Sequence, residues 1–130
     1  MPRERARQPT EAELEILKVL WQRGPSTVRE VQQALPAGDR QPGYTTVLKT
    51  LQIMFDKGLV ERDEQNRAHV YSAVPSAELT ESQIVGDLVD RLFRGSTSRL
   101  VLRALASRPA SADELAEIRR LLDAANEEER

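Results

Sequence analysis

Three short amphipathic helices, a strand–turn–strand signal directly after them, and a second helical stretch with an over-wide apolar face predict a mainly α fold class. The order is that of a winged helix-turn-helix domain with a two-stranded wing, over residues 1–75, followed by a helical C-terminal module over residues 76–130.

The first helix is expected to start at Thr10. Thr10 and Glu13 have the spacing of a capping box, in which each side chain satisfies a free backbone N–H of the other. Leu14, Leu17 and Trp21 then recur at helical spacing, with Ile16 and Leu20 on an adjoining strip, and Gly24-Pro25 ends the run. A second helix begins at Ser26 or Thr27, where Thr27 and Glu30 repeat the capping box. Val28, Val31 and Leu35 form its apolar face, and Pro36 stops it. The segment from Pro36 to Gly43 is polar and rich in Pro and Gly, so it reads as a loop. The third helix runs from about Tyr44 to Lys57, with Val47, Leu51, Met54 and Phe55 inward, Lys57 in the last turn, and Gly58 as its C-terminal cap.

The hairpin follows. Leu59 to Arg62 and Ala68 to Val74 are the strand candidates, and Asp63-Glu64-Gln65-Asn66-Arg67 is polar enough to turn between them. By alternation Arg67, His69 and Tyr71 share one face of the second strand. Pro75-Ser76 marks the module boundary. Beyond it a longer helix carries Leu79 near its start and then Ile84, Val85, Leu88, Val89, Leu92 and Phe93, with Gly95 at its end. A short helix from Thr97 to Ser107 is broken by Arg108-Pro109. Ser111 and Glu114 open a last helix with Leu115, Ile118, Leu121 and Leu122, and the polar tail from Asn126 to Arg130 is expected to fray.

Composition narrows the function classes. The chain has 130 residues, 39% of them hydrophobic and 31% charged, which fits a folded chain of one small domain with an appendage. It has no cysteine, so disulfides, thiolate metal sites and cysteine nucleophiles are excluded. The single histidine, His69, reads as a surface or packing residue, because no second histidine exists to complete a metal site or to serve a triad with no Gly-x-Ser-x-Gly turn. No glycine-rich phosphate loop occurs, and Glu11, Glu13, Glu15 and the run Glu127-Glu128-Glu129 read as solvated faces or tail. Trp21 reads as core of the first helix. No cofactor and no enzyme activity are expected. No apolar run approaches the roughly 20 residues that span a bilayer. The basic start from Arg3 to Arg7 lacks the apolar segment of a signal peptide and reads as an arm, so a cytoplasmic protein without membrane insertion is expected.

The net charge of −2 is low for a nucleic-acid binder, but it is unevenly spread. Residues 1–75 hold eleven Lys/Arg against ten Asp/Glu, and residues 76–130 hold eight against eleven. Binding depends on the local field, and the third helix has a face suited to base edges. Thr45, Thr46 and Lys49 lie away from the Val47/Leu51/Met54 face, and Tyr44 opens the same helix. Hydroxyls can donate to or accept from bases and phosphates, and Lys49 can meet guanine or phosphate. Asn66 and Arg67 at the hairpin tip can reach the neighbouring backbone or minor groove. Double-stranded operator DNA is the expected partner. In the second module the Ile84, Val85, Leu88, Val89, Leu92 and Phe93 set needs a cover, and a second copy of the chain is the natural one. A two-fold homodimer would place two reading helices on a pseudo-palindromic site.

The runs Glu13-Leu14-Glu15-Ile16-Leu17-Lys18-Val19-Leu20-Trp21, Thr27-Val28-Arg29-Glu30-Val31, Tyr44-Thr45-Thr46-Val47-Leu48-Lys49-Thr50-Leu51, Lys57-Gly58-Leu59-Val60 and Arg67-Ala68-His69-Val70-Tyr71 resemble the penicillinase-repressor family, which includes methicillin-resistance and copper-responsive repressors. The resemblance is strongest up to about Val74. It implies a winged-helix transcriptional repressor with a C-terminal dimerisation module, whose reading-helix positions are Thr45, Thr46 and Lys49. Leu48 falls where relatives can carry a polar residue, and both a base-methyl contact and simple packing stay open for it. In the β-lactam branch a membrane sensor triggers proteolysis in the dimerisation module, and the matching bond here is Arg103–Ala104. The copper branch needs a C-terminal cysteine cluster, which this chain lacks. Two other readings fit the same helices: a ligand-sensing winged-helix regulator, and a winged-helix protein-interaction module that does not bind DNA.

Overall fold

A computed structural model describes residues 8–37 and 41–128. The arm from Arg3 to Arg7 lies outside them, as does the end of the tail at Glu129 and Arg130.

The first helix, α1 (Glu11–Arg23), starts at the expected cap. Thr10 Oγ1 accepts from the Glu13 amide at 3.2 Å, and Glu13 Oε1 accepts from the Thr10 amide at 2.9 Å. Its buried residues are Ile16, Leu17, Val19 and Leu20, together with Glu13. The half-buried Trp21 packs beside them and donates from Nε1 to the Pro75 carbonyl at 2.9 Å, which ties the end of α1 to the end of the hairpin. The second helix, α2 (Val28–Ala34), repeats the capping box with Thr27 and Glu30 and buries Val28 and Val31. Leu35, at its C-terminal cap, is buried with them.

Gln41 and Gln32 fasten the incoming loop to α2. Gln41 Nε2 donates to the carbonyls of Gln32 and Leu35 at 3.2 and 3.1 Å, and Gln32 Nε2 donates to that of Pro42 at 3.2 Å. The third helix, α3 (Tyr44–Lys57), has the expected bounds and packs through Val47, Leu51 and Met54. Gly58, with φ 82°, closes it in the left-handed conformation that favours glycine.

The sheet has one strand more than the sequence suggested. Strands β1 (Ser26–Thr27), β2 (Val60–Asp63) and β3 (Val70–Ala73) form an antiparallel sheet in the order β1-β3-β2. Ser26 lies opposite Tyr71 and Thr27 opposite Val70, while Val60 pairs with Ala73 and Asp63 with Val70 on the other side. The residues that introduce α2 therefore serve as a short strand first. Thr27 can do both because an N-cap residue is extended, and its φ of −77° and ψ of 168° fit a ladder.

Two further expectations need correction. Glu13 is not part of a solvated face: it is 3% exposed, and both its oxygens accept from Lys57 Nζ, at 2.8 and 3.0 Å. The capping box holds this carboxylate inward, and the last turn of α3 brings the counter-ion. Phe55 does not face inward either. It lies at the surface with the Arg62 guanidinium 4.0 Å above its ring, a cation–π contact between α3 and the wing.

The chain separates into two compact units, Met1–Val85 and Gly86–Arg130, with the division inside α4 (Ala77–Leu92). The first unit holds one core, built from α1, α2, α3, Leu59, Val60 and Tyr71. The second contains the end of α4, α5 (Thr97–Ser107) and α6 (Ala112–Glu128). Arg94 and Gly95 end α4 with φ of 52° and 83°, and the Gly95 amide donates to the Val89 carbonyl at 2.9 Å. That bond satisfies one of the free end carbonyls of the helix. Ser111 and Glu114 form the third capping box. Asn126 to Glu128 continue α6 rather than fray. Among the described residues no helix is long and apolar enough to cross a membrane.

Candidate nucleic-acid interface

α3 is held by one face and free on the other. Val47, Leu51 and Met54 fix its rotation in the core, and the period of 3.6 residues then aims Thr45, Lys49 and Gln52 outward on one strip. All three are exposed. Gln52 was not picked out in the sequence, although its i, i+4, i+7 relation to Thr45 and Lys49 was legible there. A glutamine amide on that strip can pair with adenine, as a lysine can with guanine.

The other candidates sit on the flanks of the strip. Thr46 is exposed and lines, with Thr50, a hollow of about 360 Å³ against Ile16 and Leu35. Thr50 Oγ1 donates to the Thr46 carbonyl at 2.9 Å, so this hydroxyl is already engaged with the helix. The two threonines 45 and 46 thus face different surroundings. On the opposite flank Tyr44 is exposed, and Leu48 is half-buried against the core. Packing accounts for Leu48.

Tyr44 and Leu48 border a second hollow, of about 310 Å³, between α3, α2 and the wing. Arg29 stands on its α2 side, with its guanidinium 5.5 Å from the centre of the Tyr44 ring. Arg67 and His69 close it from the wing side, and the buried Tyr71 forms its floor. The expected common face of Arg67, His69 and Tyr71 is therefore present. Asn66 and Arg67 are exposed in the turn between β2 and β3. Beside that turn Arg62 Nε meets Glu64 Oε2 at 2.7 Å, and this guanidinium holds the Glu64 carboxyl below its usual range. Asp63 Oδ1 accepts from the Gln65 amide at 2.9 Å and shapes the turn.

Three cations thus surround the free face of α3: Lys49 on the strip, Arg29 on one flank and Arg67 on the wing. None of them makes a salt bridge among the described residues. Arg29 was not singled out from the sequence, because its proximity to Tyr44 depends on how α2 and α3 cross. No group of three or more His, Asp or Glu residues able to hold a metal ion occurs among the described residues.

The remaining candidates lie on α4 and α5. On α4, Val85, Leu88 and Leu92 are exposed, Ile84 and Val89 are half-buried, and Phe93, just past its end, is 9% exposed. Arg103 and Ala104 are both exposed on α5.

Comparison with known proteins agrees with this architecture. The family model described as penicillinase repressor matches residues 9–124. The transcriptional regulator BlaI of Mycobacterium tuberculosis is 36% identical over 110 residues, covering 82% of this chain and 77% of that protein. The methicillin resistance regulatory protein MecI of Staphylococcus aureus is 19% identical over 112 residues, covering 86% of this chain and 90% of its own. A match to the family model over nearly the whole chain, together with a winged-helix fold, makes this protein a member of the penicillinase repressor family of transcriptional repressors.

Proposed function

We propose that two copies of the chain bind one pseudo-palindromic operator, each reading its half-site through α3 and gripping the flanking backbone through the wing. The observation that carries this reading is the strip of Thr45, Lys49 and Gln52, exposed on a helix whose other face is locked in the core. A rigid helix with one polar, cationic side free is what the major groove admits. Arg29, Arg67 and Asn66 stand where phosphates beside that groove would pass.

The second unit supports the two-fold assembly. Phe93 is its one buried hydrophobic residue among those described, whereas Leu92, Leu102 and Leu122 are 64, 62 and 63% exposed. Fully burying a leucine contributes roughly 1.5–3 kcal/mol, so a 45-residue helical unit with these faces open lacks the core to hold itself together. A second copy laid against Val85, Leu88 and Leu92 would supply the cover.

Relief of repression by cleavage at Arg103–Ala104 fits the same picture, because that bond lies in α5 among the residues a dimer would order. The protein is read as cytoplasmic, with operator DNA and its own second copy as partners and a membrane sensor system as the trigger.

The test is to replace Lys49 and Arg67 together by alanine and measure binding to the operator duplex. A loss of operator affinity with the dimer intact is expected. Unchanged affinity would remove Lys49 and Arg67 from the DNA-binding face. For the induction step, incubation with the cognate sensor should yield two fragments split between residues 103 and 104. An intact chain after derepression would remove proteolysis from the account.

A further inference from the structure

We infer that the hollow between α2, α3 and the wing seats one backbone phosphate of the operator, and that His69 takes up a proton when the phosphate enters. This rests on the DNA-binding reading above and assigns a specific, titratable contact within it.

The hollow measures about 310 Å³ and is lined by Arg29, Tyr44, Arg67 and His69 over the Tyr71 floor. Such a volume can admit a single oxyanion together with a few waters, and Arg29 from α2 and Arg67 from the wing both line it. Arg29 is held near the Tyr44 ring, and Arg67 comes from the exposed turn. Neither is committed to a carboxylate among the described residues. The site adjoins the reading strip, so a duplex docked on Lys49 brings a backbone past it.

His69 changes what such a seat can do. Histidine is the side chain whose ordinary titration falls between pH 5 and 8. The groups around His69 act in both directions. Arg29 from α2 and Arg67 from the wing place positive charge beside it, and Tyr44 and Tyr71 complete the lining. The Glu64 carboxylate favours the imidazolium, but it is engaged by Arg62 at 2.7 Å. A backbone phosphate in the hollow brings one negative charge beside the imidazole, so protonation of His69 is easier in the complex than in the free protein. Linkage then requires operator affinity to rise as pH falls through the histidine range, and each half-site contributes one such proton.

The sole histidine gives a direct reading, because its imidazole signals in the NMR spectrum of the untagged chain need no further assignment. Its titration would be followed in the free protein, with the operator duplex, and with inorganic phosphate at matched ionic strength. The midpoint should move to higher pH with the duplex and stay near that of the free protein with inorganic phosphate. In parallel, operator affinity should be tighter at pH 6 than at pH 8 by about three- to tenfold per half-site, and so by about ten- to a hundredfold for the dimer, the range that a shift of up to one pKa unit at each histidine allows. His69→Gln, which keeps a hydrogen-bonding side chain without the titration, should flatten that dependence. Tight operator binding with an unmoved His69 midpoint would overturn the inference and leave the DNA reading intact. A shift as large with inorganic phosphate as with DNA would make the hollow a site for free phosphate and overturn the backbone assignment. No operator binding at any pH would remove both readings.

Discussion

The Glu13–Lys57 pair and the Thr80 hydroxyl are buried polar groups that act on stability in opposite directions. Glu13 serves the first helix as a capping residue and the third as a counter-ion while nearly sealed from water. Lys57→Met would leave the carboxylate buried with only its backbone donor. Breaking a buried pair costs about 3–5 kcal/mol, and the quarter exposure of the Lys57 side chain lowers the expectation to about 2 kcal/mol of unfolding free energy. A denaturant titration checks it, and the double variant Glu13→Gln/Lys57→Met should recover part of the loss. Thr80 Oγ1 is buried with no hydrogen-bond partner among the described residues. Thr80→Val keeps the shape and removes the hydroxyl, so it should raise stability by about 1 kcal/mol. A fall in Tm would mean that the hydroxyl has a partner, such as an ordered water. Neither feature was legible in the sequence. Glu13 looked like one of three alternating surface carboxylates, and its burial follows from which turn of α3 arrives beside it. The site residues divide in the same way. The exposure of Thr45 and Lys49 on α3 was readable from helical period alone, whereas Arg29 became a candidate only through the packing of α2 on α3.

At the scale of elements, caps and breakers told most of the story. Thr10, Thr27 and Ser111 each begin a helix with a glutamate three residues on, and α3 ends at the glycine that the sequence marked. These are local devices, and local devices can be read from spacing. The strand β1 could not be, because two extended residues acquire meaning only from Val70 and Tyr71, far along the chain. Thr27 therefore has two duties, and Thr27→Ala should cost about 1 kcal/mol, seen as a lower Tm. The same box holds the Glu30 carboxyl below its usual range, chiefly through the Thr27 amide. Its contribution is thus present above the ordinary glutamate range and fades as pH falls through the lowered value, so the Tm cost of Glu30→Gln should shrink in acid. On α4, Leu88→Asp would place a charge on the exposed apolar face. If that face is the dimer seam, sedimentation should report monomers and operator affinity should fall with it. A variant that still sediments as a dimer would exclude Leu88 from the seam.

For the whole molecule, a net charge of −2 and a DNA-binding reading are compatible because charge is distributed by place. Acidic residues are used up in caps and pairs: Glu13 with Lys57, Glu30 at the α2 cap, and Glu64 with Arg62. Among the described residues, Lys49, Arg29 and Arg67 are left without a salt bridge around one helix. The fold class was legible because a winged helix is a sequence of short elements with sharp ends. The faces of the second unit were legible as apolar but not as partnered, since a single chain does not contain its cover. The most direct test of the account is a salt titration of binding to a palindromic duplex taken from upstream of the protein's own coding region, against a scrambled duplex. The account predicts specific binding of one dimer per site, with log affinity falling linearly and steeply in log salt as several phosphates release counterions. Equal, weak binding to both duplexes, with a shallow slope, would contradict the reading of α3 and the wing as an operator-binding surface.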